Sequence, residues 1–135
     1  MGHTISTTVD RGFAETLEAT RSRLADAGFG VLTEIDLAAT LKAKIGADIA
    51  PQVILGACRP PLALAALEAE PTIGVFLPCN VVVREVDADR TLVEAMDPEA
   101  MVELTGNEGL AEVAADARKR LSAALEALTT EAVRE

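Results

Sequence analysis

The chain has no tryptophan, no tyrosine, one histidine and two cysteines. Without Trp or Tyr it lacks the usual platforms on which single-stranded bases stack. The one histidine, His3, lies near the start of the sequence, so a serine–histidine triad is not expected. Two cysteines cannot build a disulfide framework, and alone they do not complete a tetrahedral zinc site. Positive charge is also scarce: 12 Lys and Arg stand against 22 Asp and Glu, for a formal net charge of −10. That balance argues against nucleic acid and anionic membrane surfaces as partners, because both are bound largely through Lys and Arg. No apolar run approaches the ~18 residues of a membrane-spanning helix. The first residues show no cationic segment leading into an apolar core, so no secretory leader is expected and a cytoplasmic protein with reduced thiols is. Phosphate-loop, GxGxxG, GxSxG and HExxH motifs are all missing, so no catalytic set and no metal set is assigned and any cofactor is left unknown.

Half of the 135 residues are apolar, yet only Phe13, Phe29 and Phe76 are aromatic. The core must therefore be aliphatic, and the many alanines suit closely packed helices. The length fits one domain over residues 1–135, able to bury roughly two-thirds of the surface of its unfolded chain.

Periodicity orders the elements. Ile5–Val9 reads as a half-buried strand, followed by a helix capped by Asp10 and ended by Gly28. Phe29–Ile35 is a second strand, and Asp36 caps a short helix that Gly46 stops. Val53–Cys58 is apolar throughout, as a strand buried on both faces is. Pro60-Pro61 opens the next helix, which runs to Pro71. Ile73–Leu77, Val81–Val86 and Thr91–Met96 read as three further strands, the last two joined by a turn at 87–90. Asp97-Pro98-Glu99 starts a short helix, and a long C-terminal helix carries Leu110, Val113, Leu121, Leu125 and Leu128 as one stripe. The expectation is an α+β fold: a single two-layer domain with a mixed sheet of about five to six strands, helices mainly on one face. The breadth of the last apolar stripe suggests a homodimer.

Phe29-Gly30-Val31-Leu32-Thr33-Glu34-Ile35-Asp36, then Gly56-Ala57-Cys58-x-Pro60, Leu77-Pro78-Cys79-Asn80-Val81-Val82-Val83, and lastly Glu94 with Asp97-Pro98 occur in this order. Together they resemble the domain of unknown function family numbered 302, across nearly the whole chain. The resemblance implies a compact α+β domain that dimerises and implies no activity. Arg59 departs from it, standing where a smaller or neutral residue is expected.

Cys58 and Cys79 close two apolar stretches and, if their strands are neighbours, their thiols could meet. Such a pair could exchange with a disulfide, take a soft metal or hold a thiol-reactive ligand, or else fill core space. Pro78 cannot donate a ladder hydrogen bond, so Pro78-Cys79-Asn80 reads either as a break that frees backbone groups for a ligand or as a hairpin corner. Glu34 and Glu94 are carboxylates at strand positions that serve a site or a solvated face. Lys42, Lys44 and Arg59 could make the surroundings of Cys58 electropositive. The leading expectation is a homodimeric module binding a small, mostly apolar or anionic molecule near Cys58, Arg59, Cys79, Asn80 and Glu34. A thiol-dependent redox enzyme or sensor and a structural interaction domain are the alternatives.

Overall fold

A computed structural model describes the backbone of residues 3–134 and the side chains of residues 3–129. Five strands form one sheet: β1 (Thr4–Val9), β2 (Gly30–Asp36), β3 (Gln52–Cys58), β4 (Cys79–Asp87) and β5 (Arg90–Met96). Their spatial order is β1-β5-β4-β3-β2, and every neighbouring pair is antiparallel. The expected mixed sheet is thus corrected to an antiparallel one. The connections between β2 and β5 return each strand beside its predecessor, so none has to cross over in parallel.

Five α-helices accompany the sheet: α1 (Phe13–Asp26), α2 (Leu37–Ile45), α3 (Pro60–Ala69), α4 (Ala100–Thr105) and α5 (Ala111–Arg134). Helices α1 and α5 pack together on one face, where Leu24, Leu121, Leu125 and Leu128 meet Leu55, Val81, Val83 and Val93 in the main core. Strand alternation explains this core, since Val81, Val83, Val93 and Ala95 are buried while Val82, Arg84, Leu92 and Glu94 between them are partly open. A second cluster, Ala66, Ile73, Met101 and Leu110, joins α3, α4 and the start of α5.

The segment expected as a strand at Ile73–Leu77 is a 3₁₀ helix over Pro71–Phe76. Pro71 presets a helical φ at its first position, and the buried Ile73 anchors the turn in the second cluster rather than in the sheet. Asp36 caps α2 as expected, its carboxylate accepting from the Ala39 N–H at 2.9 Å. Asp10 does not cap α1; Gly12 holds that position without a side-chain bond. Gly28 follows α1 with φ +94°, a conformation that favours glycine.

Asp97 is buried at the junction of β5 and α4. Its Oδ1 accepts from the Glu99 N–H at 3.0 Å, and its Oδ2 accepts from Arg118 Nε at 3.1 Å. The contact ties α5 to the start of α4, and the carboxylate raises the pKa of the Arg118 guanidinium.

Candidate functional site

The proposed site residues divide between two places. Strand β4 starts at Cys79, in register with Ala57, and Asn80 follows opposite Gly56. Pro78-Cys79-Asn80 is thus neither a break within the ladder nor a hairpin corner, because the preceding segment is helical and Pro78 leads into the strand. Successive strand residues point to opposite faces. Cys79 turns into the core at 7% exposure, while Asn80 is exposed on the other face.

On the helix side, Cys79 lines a cavity of about 30 Å³ between the two apolar clusters; the half-buried Cys58 borders it at the end of β3, but it follows Ala57, the register partner of Cys79, so the two-residue period turns its side chain toward the other face. Phe29, Leu62, Met101 and Val113 line it too, so the surroundings are dry and apolar. Burial, and secondly the negative charge a Cys58 thiolate would add, push the Cys79 thiol up. Arg59, the residue before α3, also lines this cavity. Its Nε is buried without a hydrogen-bond partner among the described residues. The side chain lies across Gly28, where a Cβ would come within 2.9 Å of that Nε.

On the opposite face, Asn80 and Val82 of β4 join Glu94 and Met96 of β5 and Glu103 and Leu104 of α4 around a cavity of about 640 Å³. Small-molecule pockets commonly span about 300–1,000 Å³. Arg84 Nε donates to Glu94 Oε1 at 3.1 Å, which neutralises one of its two carboxylates. Neither Asn80 nor Glu103 makes a side-chain hydrogen bond or ion pair among the described residues. Helix α4 owes its place to the Asp97 junction, and Glu103 and Leu104 on it reach the rim.

Glu34 lines neither cavity. Its carboxylate accepts from Arg21, with Nη2 at 2.7 Å from each oxygen and Nε at 3.1 Å from Oε1, and so ties α1 to the edge strand β2. This pairing raises the Arg21 pKa and gives Glu34 a structural task. Lys42 and Lys44 sit in the last turn of α2, where Lys42 pairs with Asp48 at 2.9 Å, and neither lines the thiol cavity. Among the described residues no group of three or more His, Cys, Asp or Glu is placed to hold a metal ion. None of the helices there is long and apolar enough to cross a membrane.

Two residues of these sites gave no sequence signal, and Gly56 beside them gave one that the pattern reading passed over. Met101 and Glu103 look like ordinary helix positions. Gly56 looks like any glycine in a strand, yet a Cβ there would overlap Thr33 Oγ1 and come within 2.8 Å of Pro78 Cγ. A glycine inside an apolar strand is the recognised mark of such a close approach.

The domain of unknown function DUF302 matches residues 5–128. The chain belongs to this family. A crystal structure of an uncharacterised conserved DUF302 protein from Bacillus stearothermophilus is similar to it, with a TM-score of 0.86 and 32% sequence identity. The match covers 93% of this chain and 98% of the Bacillus chain, so the DUF302 fold accounts for nearly all of both. No curated protein matches. Family membership fits the α+β architecture and assigns no activity to either cavity.

Proposed function

We propose that this DUF302 chain is a homodimeric small-molecule-binding module whose ligand occupies the open face of the sheet beside Asn80. The observation that carries the reading is that Asn80 and Glu103, both without internal partners, border the same cavity of about 640 Å³. Val82, Met96 and Leu104 supply apolar contact, and Asn80 offers both a donor and an acceptor. With Glu94 paired to Arg84, the carboxylate of Glu103 favours a ligand with a cationic or hydrogen-donating group on an apolar body, and disfavours an anionic one. The thiol cavity, at about 30 Å³, has room for little more than one water-sized body, so an organic ligand is better served by the opposite face.

Dimerisation is supported by the β2 edge. All seven residues of β2 are exposed, and α2 buries none of its own. Val31, Leu32, Ile35, Ile45 and Ile49 are large, apolar and exposed in this part of the chain. A second copy would cover them by an isologous contact. Two unpaired cysteines support a reducing, cytoplasmic setting, and the net charge of −10 supports a partner other than nucleic acid.

The test is a thermal-shift screen of small hydrophobic amines and uncharged amides against wild type, Asn80→Ala and Glu103→Gln, with light scattering on wild type and Ile45→Asp. The expected result is a compound that stabilises wild type and loses its effect in both cavity variants, with a dimer that Ile45→Asp dissociates. Stabilisation unchanged in the variants, or none for any compound, overturns the binding reading. A monomeric wild type overturns the dimer.

A further inference from the structure

Two guanidinium groups meet where three elements converge, and among the described residues no carboxylate bridges them. Arg59 precedes α3, Arg120 lies on α5, and Gly28 follows α1. Arg59 Nε and Arg120 Nη1 lie 2.9 and 3.8 Å from the point where a Cβ on Gly28 would stand. The φ of +94° favours glycine there, and the bare Cα leaves the Arg59 side chain room to lie across the turn. The small interior cavity has apolar walls, so Arg59 gives it only carbon atoms and turns its charged end toward Arg120.

The surroundings do not match these charges. Arg120 Nε donates to Asp116 Oδ2 at 3.1 Å, and its Nη1 makes a long 3.4 Å bond to the Ala27 carbonyl at the end of α1. Arg59 has no hydrogen bond or ion pair among the described residues, and its Nε is buried. Lys119, beside Arg120, has no such partner there either. With Asp116, Arg120, Ala27 and Ala123 it surrounds a depression of about 280 Å³ that reaches the residue before Gly28. The neighbouring Arg23 and Asp26 pair at 3.0 Å and add no net charge. Arg59, Lys119 and Arg120 against Asp116 leave a local excess of two positive charges, in a chain whose formal charge is −10. Like charges held this close repel, and a buried donor without an acceptor adds to the cost, unless an anion meets both.

We propose that Arg59 and Arg120, with Lys119 at the rim, form a binding site for a phosphate group, either free or carried on a small monoester. A phosphate dianion matches the excess of two positive charges. Its acceptor oxygens point in several directions and suit two planar guanidinium forks, where a carboxylate is satisfied by one. The depression falls just below the ~300–1,000 Å³ of common ligand pockets, so beyond the phosphate it admits few carbon atoms, which Ala27 and Ala123 meet. Binding is by charge and hydrogen bonds, with no covalent step. The site is separate from the open-face cavity of Asn80, whose Glu103 carboxylate disfavours anions, so either can fail without the other.

The experiment titrates the full chain with inorganic phosphate and, separately, with glycerol phosphate, at an ionic strength held constant with chloride. Nitrogen-15 NMR follows the Gly28 amide and the Arg59 Nε–H. Saturable shifts of both signals are expected, with one anion per chain. Arg59→Gln and Arg120→Gln are each expected to weaken binding about tenfold. Arg59→Lys keeps the charge without the fork and is expected to weaken it less, while Lys44→Gln on α2 leaves it unchanged. Circular dichroism checks that each variant folds. Because Arg120 also holds Asp116, Lys119→Gln gives a second readout on α5 that breaks no internal contact, and a smaller loss is expected. Tighter binding of the monoester supports a phosphorylated small molecule as the source, and tighter binding of inorganic phosphate supports the free anion. No saturable shift with either probe, shifts that chloride alone reproduces, or equal affinity in wild type and folded Arg59→Gln overturn the proposal.

Discussion

Cys79 and Asn80 are consecutive in β4 and serve opposite faces of the sheet: the thiol enters the dry interior and the amide borders the open cavity. One strand therefore feeds two chemically different places, and substitutions at the two positions separate them.

Alkylation of the native protein reads the interior half. Cys58 is half-buried and Cys79 is buried with its thiol pushed up, so Cys58 is expected to be modified first and Cys79 at least tenfold more slowly. Raising the pH is expected to narrow the gap as Cys79 ionises. Peptide mass spectrometry over a time course checks this, and equal rates near neutral pH would contradict the burial of Cys79.

Gly56→Ala is expected to destabilise the fold by about 1–3 kcal/mol, because the new methyl group meets Pro78 and Thr33. Gly74→Ala makes the control. No atom lies within 4 Å of a Cβ built there, and glycine's φ is not positive, so its effect is expected to fall within about 0.5 kcal/mol. Urea unfolding of the two variants gives the comparison.

Asp97→Ala removes the acceptor for the Glu99 N–H and the partner of Arg118 at once. A loss of about 1–3 kcal/mol is expected. Asp97→Asn keeps one oxygen acceptor and is expected to lose less. Chemical denaturation measures both, and proteolysis near α4 should rise in the alanine variant, since the junction sets where α4 begins.

Glu70 accepts from the Thr72 hydroxyl at 2.6 Å and from the Asn107 amide at 2.9 Å, and these bonds hold its carboxyl below the usual carboxylate range. A depressed carboxylate stabilises the fold above its unfolded value, about pH 4.3, and that stability is lost as pH falls through the lower folded value. The Tm difference between wild type and Glu70→Gln is therefore expected to be constant near neutrality and to shrink below about pH 4. A difference unchanged down to acid unfolding would mean the charge contributes nothing.

The sequence carried more of the fold than of the sites. Asp36, Gly28 and the 87–90 turn have local causes, so cap and turn chemistry placed them. The 3₁₀ helix at Pro71–Phe76 did not follow from pattern, because five apolar residues in a row fit a buried strand equally well and the second cluster decides. The antiparallel order also depends on which strands meet, which no local signal encodes. That Cys58 and Cys79 end and begin neighbouring strands was legible from their apolar stretches, whereas the register, which pairs Cys79 with Ala57, was not. The division of Cys79 from Asn80 follows from the two-residue period once β4 is known to begin at Cys79. Met101 was silent, since a methionine on a short helix looks the same whether it is exposed or packed in the second cluster. Glu34 looked available and is held by Arg21, a contact between a helix and the strand that follows it, which neither element's own periodicity reveals.

Strands β2 to β5 follow one another in space as they do in sequence, and β1 alone is carried to the far edge beside β5. Thr7 on β1 reaches Thr129 on α5 across 122 positions, their hydroxyls 2.9 Å apart. The four-strand run closes through local connections, one a tight turn and two carrying α2 and α3, whereas seating β1 joins segments far apart in sequence. In time, then, the molecule has an inside and a clasp. The strands from β2 to β5 can assemble while synthesis proceeds, and β1 must wait for β5 before it pairs, leaving the β5 edge of the growing sheet bare until then, while the β2 edge stays open even in the finished sheet.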